Sequence, residues 1–166
     1  MSNVRVLIMG LPGAGKTVLA REIFKRVSEA GISVDWVNAD AMREKFNDWD
    51  FSEEGRLRQA HRMREYVDMS SCDIAIADFI APTQQIRDIF SPTFTVWADT
   101  IDEGRFADTN KVFVPPEKYD IRMTDRNFLT WEDTVSMAVE SLTKLLATDS
   151  NYAHTTATHN PNGELQ

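Results

Sequence analysis

The residues most suited to chemistry are Gly10, Leu11, Pro12, Gly13, Ala14, Gly15, Lys16 and Thr17, the run GLPGAGKT. Four of them, Gly10, Gly15, Lys16 and Thr17, fill the pattern G-x-x-x-x-G-K-[ST]. The aliphatic run VRVLIM precedes it and the helix-like run VLAREIFKRV follows, the strand-to-helix context that this pattern requires. Glycines let successive backbone N–H groups turn inward. The front of the following helix adds the positive end of a dipole. Lys16 brings a mobile cation to the outer phosphates, and the Thr17 hydroxyl reaches Mg²⁺. The stretch therefore predicts a cradle for a nucleoside triphosphate with Mg²⁺. ATP is favoured over GTP because no N-K-x-D base-reading run follows.

A chain of 166 residues is too short for a large ATPase and suits a small kinase, which needs only the loop, an acceptor pocket and a mobile lid. Residues 37–64 hold the next chemically suited set: Asp40, Arg43, Phe51, Arg56 and Arg62. A carboxylate beside an acceptor hydroxyl can take its proton. Arginines can fork onto an anionic acceptor, and an aromatic ring can wall a pocket. Each also has a plainer reading. Asp40 suits a helix N-cap, and Arg56 and Arg62 suit a solvated helix face beside Glu53 and Glu54.

Taken together, these residues resemble the adenylylsulphate kinase (APS kinase) family. The family loop GLSGAGKS is matched by GLPGAGKT, and its D-G-D-x-x-R by NADAMR, with Asn38, Asp40 and Arg43. Its L-x-F-S-x-x-D-R-x-x-N is matched by WDFSEEGRLRQ, with Phe51, Ser52, Arg56 and Gln59. Its F-I-S-P is matched by DFIAP, with Phe79, Ile80, Ala81 and Pro82. The likeness runs in order over roughly residues 4 to 146. It implies a P-loop kinase fold of the nucleoside-phosphate kinase type. It also implies transfer of the ATP γ-phosphoryl group to the ribose 3′-hydroxyl of adenosine 5′-phosphosulphate, in sulphate activation. In that scheme Asp40 is the base or orienting carboxylate. Arg43, Arg56 and Gln59 serve the acceptor, Phe51 lines its pocket, and the backbone at Ile80 and Ala81 touches it. A homodimer is compatible with the family.

The sequence departs from the family at several points. Asn38 stands for the first Asp of D-G-D, so the metal set becomes Thr17, Asn38 and Asp78, with Asp78 sharing the metal duty or else capping the next turn. Gln59 replaces an Asn, and Ala81 replaces a Ser. The lid motif G-L-Y-K-K-A-R is absent. In its place stands DTIDEGRFADTNKVFVPPEKYD, residues 99–120, with Arg105 and Lys111 as lid cations or as ordinary surface charges. These changes leave two further readings open: a kinase for another hydroxyl (nucleoside, nucleotide or polynucleotide end), or a nucleotide-binding relative without turnover.

The elements that must position these residues follow from periodicity. VRVLIMG (4–10), SVDWVN (33–38), CDIAIADFI (72–80), FTVWAD (94–99) and YDIRMT (119–124) read as strands, the first and third buried on both faces. A helix from Lys16 to about Glu29 carries Val18, Leu19, Ile23 and Val27 at helical spacing and ends at Gly31. A charged helix, EEGRLRQAHRMREYVDMSS, has Leu57, Ala60, Met63 and Val67 as its inner stripe. PTQQIRDIF reads as a short helix begun by Pro82, and TWEDTVSMAVESLTKLLA as a closing helix capped by Thr130 with Asp133 in the capping-box position. Strand–helix alternation predicts an α/β fold, a parallel sheet of about five strands flanked by helices. The kinase domain is expected over residues 1–148. Residues 149–166 are polar and aperiodic and are expected to be a disordered tail.

A net charge of −8 and a pI near 4.9 argue against a nucleic-acid partner, which demands a basic face, and leave small nucleotides as the substrates. No apolar run reaches membrane-spanning length. The only cysteine is Cys72, which suits a reducing compartment and a cytoplasmic protein. The four tryptophans read as core or pocket walls, and no Cys/His spacing suggests zinc.

Overall fold

The computed structural model describes residues 3–157, with side chains through residue 148. Five strands, β1 (Val4–Met9), β2 (Val34–Asn38), β3 (Ile74–Asp78), β4 (Phe94–Ala98) and β5 (Ile121–Met123), form one parallel sheet in the order β2-β3-β1-β4-β5. Every residue of β3 and β4 is buried, as expected where helices cover both faces.

The period-two alternation of each strand divides the core. Val6, Ile8, Ile74, Ile76 and Val96 face α1 (Lys16–Glu29) and α6 (Phe128–Ala157), meeting Leu19, Ile23, Val27, Val135, Ala138 and Leu142. Leu7, Met9, Ala75, Ala77 and Trp97 face α2 (Ala39–Phe46), α3 (Glu53–Met69) and α4 (Gln84–Phe90), meeting Met42, Ala60, Met63, Val67, Ile86 and Phe90. Leu57 packs at the margin of that second cluster, while Val18, on the expected stripe of α1, is 53% exposed.

Caps set the helix starts. The side-chain oxygen of Asn38 accepts from Ala41 N at 3.0 Å to open α2, and Ser52 Oγ accepts from Gly55 N at 3.2 Å to open α3. Gly55 is required there because a Cβ would lie 2.1 Å from Asp50 O. Two expected starts are corrected. Thr83 caps α4 through its hydroxyl, accepting from Ile86 N at 3.3 Å, so Pro82 stands before the cap rather than inside the helix. The closing helix starts at Phe128, where Asn127 O accepts from Trp131 N at 2.9 Å, so Thr130 is an interior residue. That helix continues to Ala157, past the residue-148 boundary expected from composition; no glycine or proline occurs before Pro161 to stop its propagation. Residues 158–166 of the expected tail lie outside the described residues.

The strand C-termini converge at one edge. Asn38 pairs with Asp78 in the β2–β3 register, and Asp78 with Ile8 in the β3–β1 register. The phosphate loop leaves β1 there. In an open parallel sheet this crevice is where ligands bind.

Candidate active site

In the loop from Gly10 to Thr17 the carbonyl oxygens of Leu11, Gly13, Ala14 and Gly15 are tied. Leu11 O accepts from Ala14 N at 3.1 Å and from Lys16 Nζ at 2.9 Å, and Gly15 O accepts from Leu19 N at 3.1 Å. Gly13 O accepts from Arg126 Nη1 at 3.0 Å and Ala14 O from Thr100 Oγ1 at 2.8 Å. Among the described residues, the amides of Gly13, Gly15, Lys16 and Thr17 meet no acceptor. Gly13 and Gly15 hold φ of 88° and 99°, the left-handed region that an inward-facing run of amides calls for. The arrangement suits an anion. Arg126 and Thr100, which fasten the loop from outside, were not singled out by spacing, because their contacts span long stretches of sequence.

Lys16 is pulled in two directions. Burial lowers its pKa to about 8, opposed by the charges of Asp78 and Asp40, with Arg105 adding to the depression. These effects bring Asp40, exposed in the first turn of α2, and Arg105 of the lid into the electrostatic range of Lys16.

Asp78 is 2% exposed. Its carboxylate accepts from Trp36 Nε1 at 2.7 Å, from Asn38 Nδ2 at 3.2 and 3.0 Å, and from Thr17 Oγ1 at 3.2 Å. Burial raises its pKa; the three donors and Lys16 oppose this. The carboxylate and the Thr17 hydroxyl form a hard-oxygen pair of the kind that suits Mg²⁺, which is usually held by one or two carboxylates plus substrate phosphates. Asn38 does not fit the metal set expected for it. Its oxygen is committed to the α2 cap and its N–H₂ faces Asp78; the reverse orientation would set N–H against N–H and oxygen against carboxylate.

A cavity of about 490 Å³ opens between the start of α3, the start of α4 and α5 (Ala107–Val112) of the lid. Phe51, Arg56 and Lys111 line it, together with Leu57, Ile86 and Val112, and it also carries Glu53 and Asp108. Its size is that of a small-molecule site. Arg56 is 9% exposed; its Nε donates to Phe51 O at 2.8 Å and its Nη2 to Thr109 Oγ1 at 3.2 Å. The lid also lies on the phosphate loop: a Cβ at Gly104 would sit 3.0 Å from Pro12 Cδ, and Asn110 holds Gly104 by accepting from its N at 2.7 Å and donating to its O at 3.1 Å.

Other expected acceptor residues stand behind the cavity rather than in it. Arg43, 5% exposed, donates through Nη1 to Asp48 O and Asp50 O at 2.9 and 3.1 Å and lies over the Phe51 ring at 4.1 Å. Its Nη1 is thus engaged by the 47–52 loop. Gln59 Nε2 donates to Ala39 O at 3.1 Å, fixing the start of α2 beside Asp40. Ile80 O accepts from Gly10 N at 3.4 Å, and Ala81 is fully buried with φ of 47°. Arg62 pairs with Asp48 at 3.2 Å and covers Phe46 at 4.2 Å.

The adenylylsulphate kinase family model matches residues 2–102, which include the phosphate loop, Asp40, Phe51, Arg56 and Asp78 and stop before α5. The chain belongs to the adenylylsulphate kinase family. A search of curated proteins returns no significant match. Solved structures share the family fold at low identity. The Mycobacterium tuberculosis APS kinase CysC, in complex with AMPPNP and APS, is 21% identical, with TM-score 0.71 over 86% of this chain and 98% of that one. A sugar kinase from Janibacter is 20% identical, with TM-score 0.62 over 83% and 93%. A gluconokinase from Sinorhizobium meliloti is 13% identical, with TM-score 0.61 over 90% and 97%. These likenesses show the P-loop kinase fold, and membership of the family supports a phosphotransferase of the kinase type. Among the described residues, no helix is long and apolar enough to cross a membrane.

Proposed function

We propose that the protein transfers the γ-phosphoryl group of ATP to the ribose 3′-hydroxyl of adenosine 5′-phosphosulphate. The observation that carries this reading is the cavity lined by Phe51 and Arg56, two motif residues of the family, under a lid that also touches the phosphate loop. The unpartnered loop amides and Lys16 hold the triphosphate. Thr17 and Asp78 would hold Mg²⁺, which when bound offsets charge on the β- and γ-phosphate oxygens. Asp40 orients the acceptor hydroxyl and takes its proton. The hydroxyl oxygen then bonds to the γ-phosphorus as the bond from that phosphorus to the β–γ bridging oxygen breaks, and ADP leaves. Arg56 meets the anionic end of the acceptor, Phe51 its base, and Arg105 and Lys111 approach from the lid, which excludes water. Arg43 and Gln59 act one step back, by fixing Phe51 and the start of α2.

A second reading, phosphorylation of an uncharged hydroxyl acceptor, is favoured by one feature. Within the cavity Glu53 and Asp108 balance Arg56 and Lys111, where a doubly anionic acceptor calls for excess positive charge. Incubation with γ-labelled ATP and Mg²⁺, against adenylylsulphate, nucleosides, sugars and DNA ends, separates the two. Label in adenylylsulphate, lost in Asp40→Asn and Lys16→Ala, supports the first. Preferential label in a nucleoside or sugar overturns it.

A further inference from the structure

Arg87 stands behind the cavity on α4, 5% exposed, and takes no part in the chemistry above. Its Nε donates to Ala81 O at 2.8 Å, its Nη2 donates to Val114 O, and the guanidinium lies over the Phe113 ring, 5.6 Å from the centroid. Ala81 carries a left-handed φ of 47°, a conformation that costs a residue with a Cβ on the order of 1 kcal/mol or more. Val114 is the C-terminal root of the lid: its N donates to Pro82 O at 2.7 Å, and Pro115 and Pro116 follow. Prolines fix φ and hold the preceding residue extended, so this root is stiff, whereas the other end of the lid passes through Gly104. One guanidinium thus joins the strained turn after β3 to the stiff end of the lid.

Burial lowers the Arg87 pKa to about 10, opposed only by the charge of Asp88. Among the described residues its Nη1 has no partner. A buried charge matched this incompletely contributes little net stability, and an apolar side chain of similar volume often does as well. What the fork supplies is placement of two backbone carbonyls from different segments.

We propose that Arg87 is a positioning residue that pins the lid root to the Ala81 turn, so that α5 swings about a fixed point and carries Asp108 and Lys111 to the acceptor in one register. This rests on the phosphoryl-transfer reading of the cavity. The test uses the full chain with Arg87→Met, which keeps bulk and loses both hydrogen bonds, and Arg87→Lys, which keeps charge and one donor. With ATP and adenylylsulphate, Arg87→Met is expected to raise the acceptor KM about tenfold, the scale of lost charge-assisted hydrogen bonds, and to leave the ATP KM unchanged. The ratio of ATP hydrolysed to acceptor phosphorylated rises, because a loose lid admits water, and Arg87→Lys recovers part of each effect. Amide exchange speeds up over residues 107–114 and not over 16–29. Wild-type KM values, coupling ratio and exchange in a folded Arg87→Met overturn the proposal, as does a fall in kcat alone with both KM values and the ratio intact. Should Arg87→Met fail to fold, the same measurements on Arg87→Lys decide. If the wild type does not phosphorylate adenylylsulphate, the acceptor assignment fails, while exchange over 107–114 and acceptor-free ATP hydrolysis still judge Arg87.

Discussion

Replacing Asn38 by Asp restores the family's residue and puts two carboxylates against each other. In the wild type Asn38 Nδ2 donates to both oxygens of Asp78, at 3.2 and 3.0 Å. Asp keeps the α2 cap, because its oxygen still accepts from Ala41 N, but it removes both donors and adds a negative charge beside a carboxylate only 2% exposed. At about 4 Å and an effective dielectric of 20, the repulsion is about 4 kcal/mol. Proton uptake sets a ceiling on that cost: bringing one carboxyl from an ordinary pKa of ~3.9 to neutral form at pH 7 takes about 4 kcal/mol, and at pH 5 about 1.5 kcal/mol. Below about pH 7, where protonation costs less than the repulsion, the folded variant therefore holds a proton that the unfolded chain has released. Its deficit is absent below about pH 4 and grows as pH rises above it. Urea unfolding in chelator should show Asn38→Asp about 4 kcal/mol less stable than the wild type at pH 7, a large part of a typical stability of ~5–15 kcal/mol, with the gap narrowing by pH 5. Mg²⁺ at a hundred times its Kd should restore about 2.7 kcal/mol. A variant within about 1 kcal/mol of the wild type at pH 7 in chelator, or a gap that ignores pH, would refute the argument that Asn38 acts as the neutral donor to Asp78.

The depressed pKa of Lys16, about 8, leaves it partly neutral at pH 8 in the empty site, and phosphate should restore its charge. Calorimetry at pH 8 in buffers of different ionisation enthalpy should therefore read uptake of about half a proton per ATP, absent in Lys16→Met. The same depression means that wild-type stability rises from pH 8 towards 10.5, a slope that Lys16→Met should lack in thermal melts. In Gly10→Ala the Cβ would stand 2.4 Å from Ala98 O; overpacking of that kind costs about 1–3 kcal/mol, so its melting temperature should fall and ATP binding weaken. Phe51→Ala should raise the acceptor KM at least about tenfold with the ATP KM unchanged, since the 45% exposed ring lines the cavity and lends no support to the core.

The sheet and the helices α1, α3, α4 and α6 were legible, the clearest because they are written in period: buried runs for β1 and β3, 3.6-residue stripes for α1 and α3; α2 and α5 carried no such mark. The phosphate loop was legible because its mechanics are local, glycines at positive φ followed by a helix start. Single side chains were less so. Arg43 and Arg56 look alike in sequence, yet the first turns its Nη1 to the 47–52 loop while the second lines the cavity. The difference lies in which way a helix face turns, and one residue changes that by about 100°. Asn38 read as a weakened metal ligand because its type offers an oxygen; that this oxygen caps α2 depends on where β2 ends. Arg87, Thr109 and Arg126 act through partners 27, 53 and 113 residues away, separations that no local pattern encodes.

The polarity of the phosphate loop also decides how a cation can arrive. Because the carbonyls of Leu11, Gly13, Ala14 and Gly15 are occupied while the amides of Gly13, Gly15, Lys16 and Thr17 are bare, the loop suits something already negative better than a naked divalent ion. A free divalent ion would meet there one hydroxyl and one carboxylate already accepting from Trp36, Asn38 and Thr17, so on the proposed function magnesium would enter as freight on the nucleotide instead of waiting for it. On that reading free metal and metal–nucleotide would be distinct visitors to this protein, and titrating one would say little about its appetite for the other.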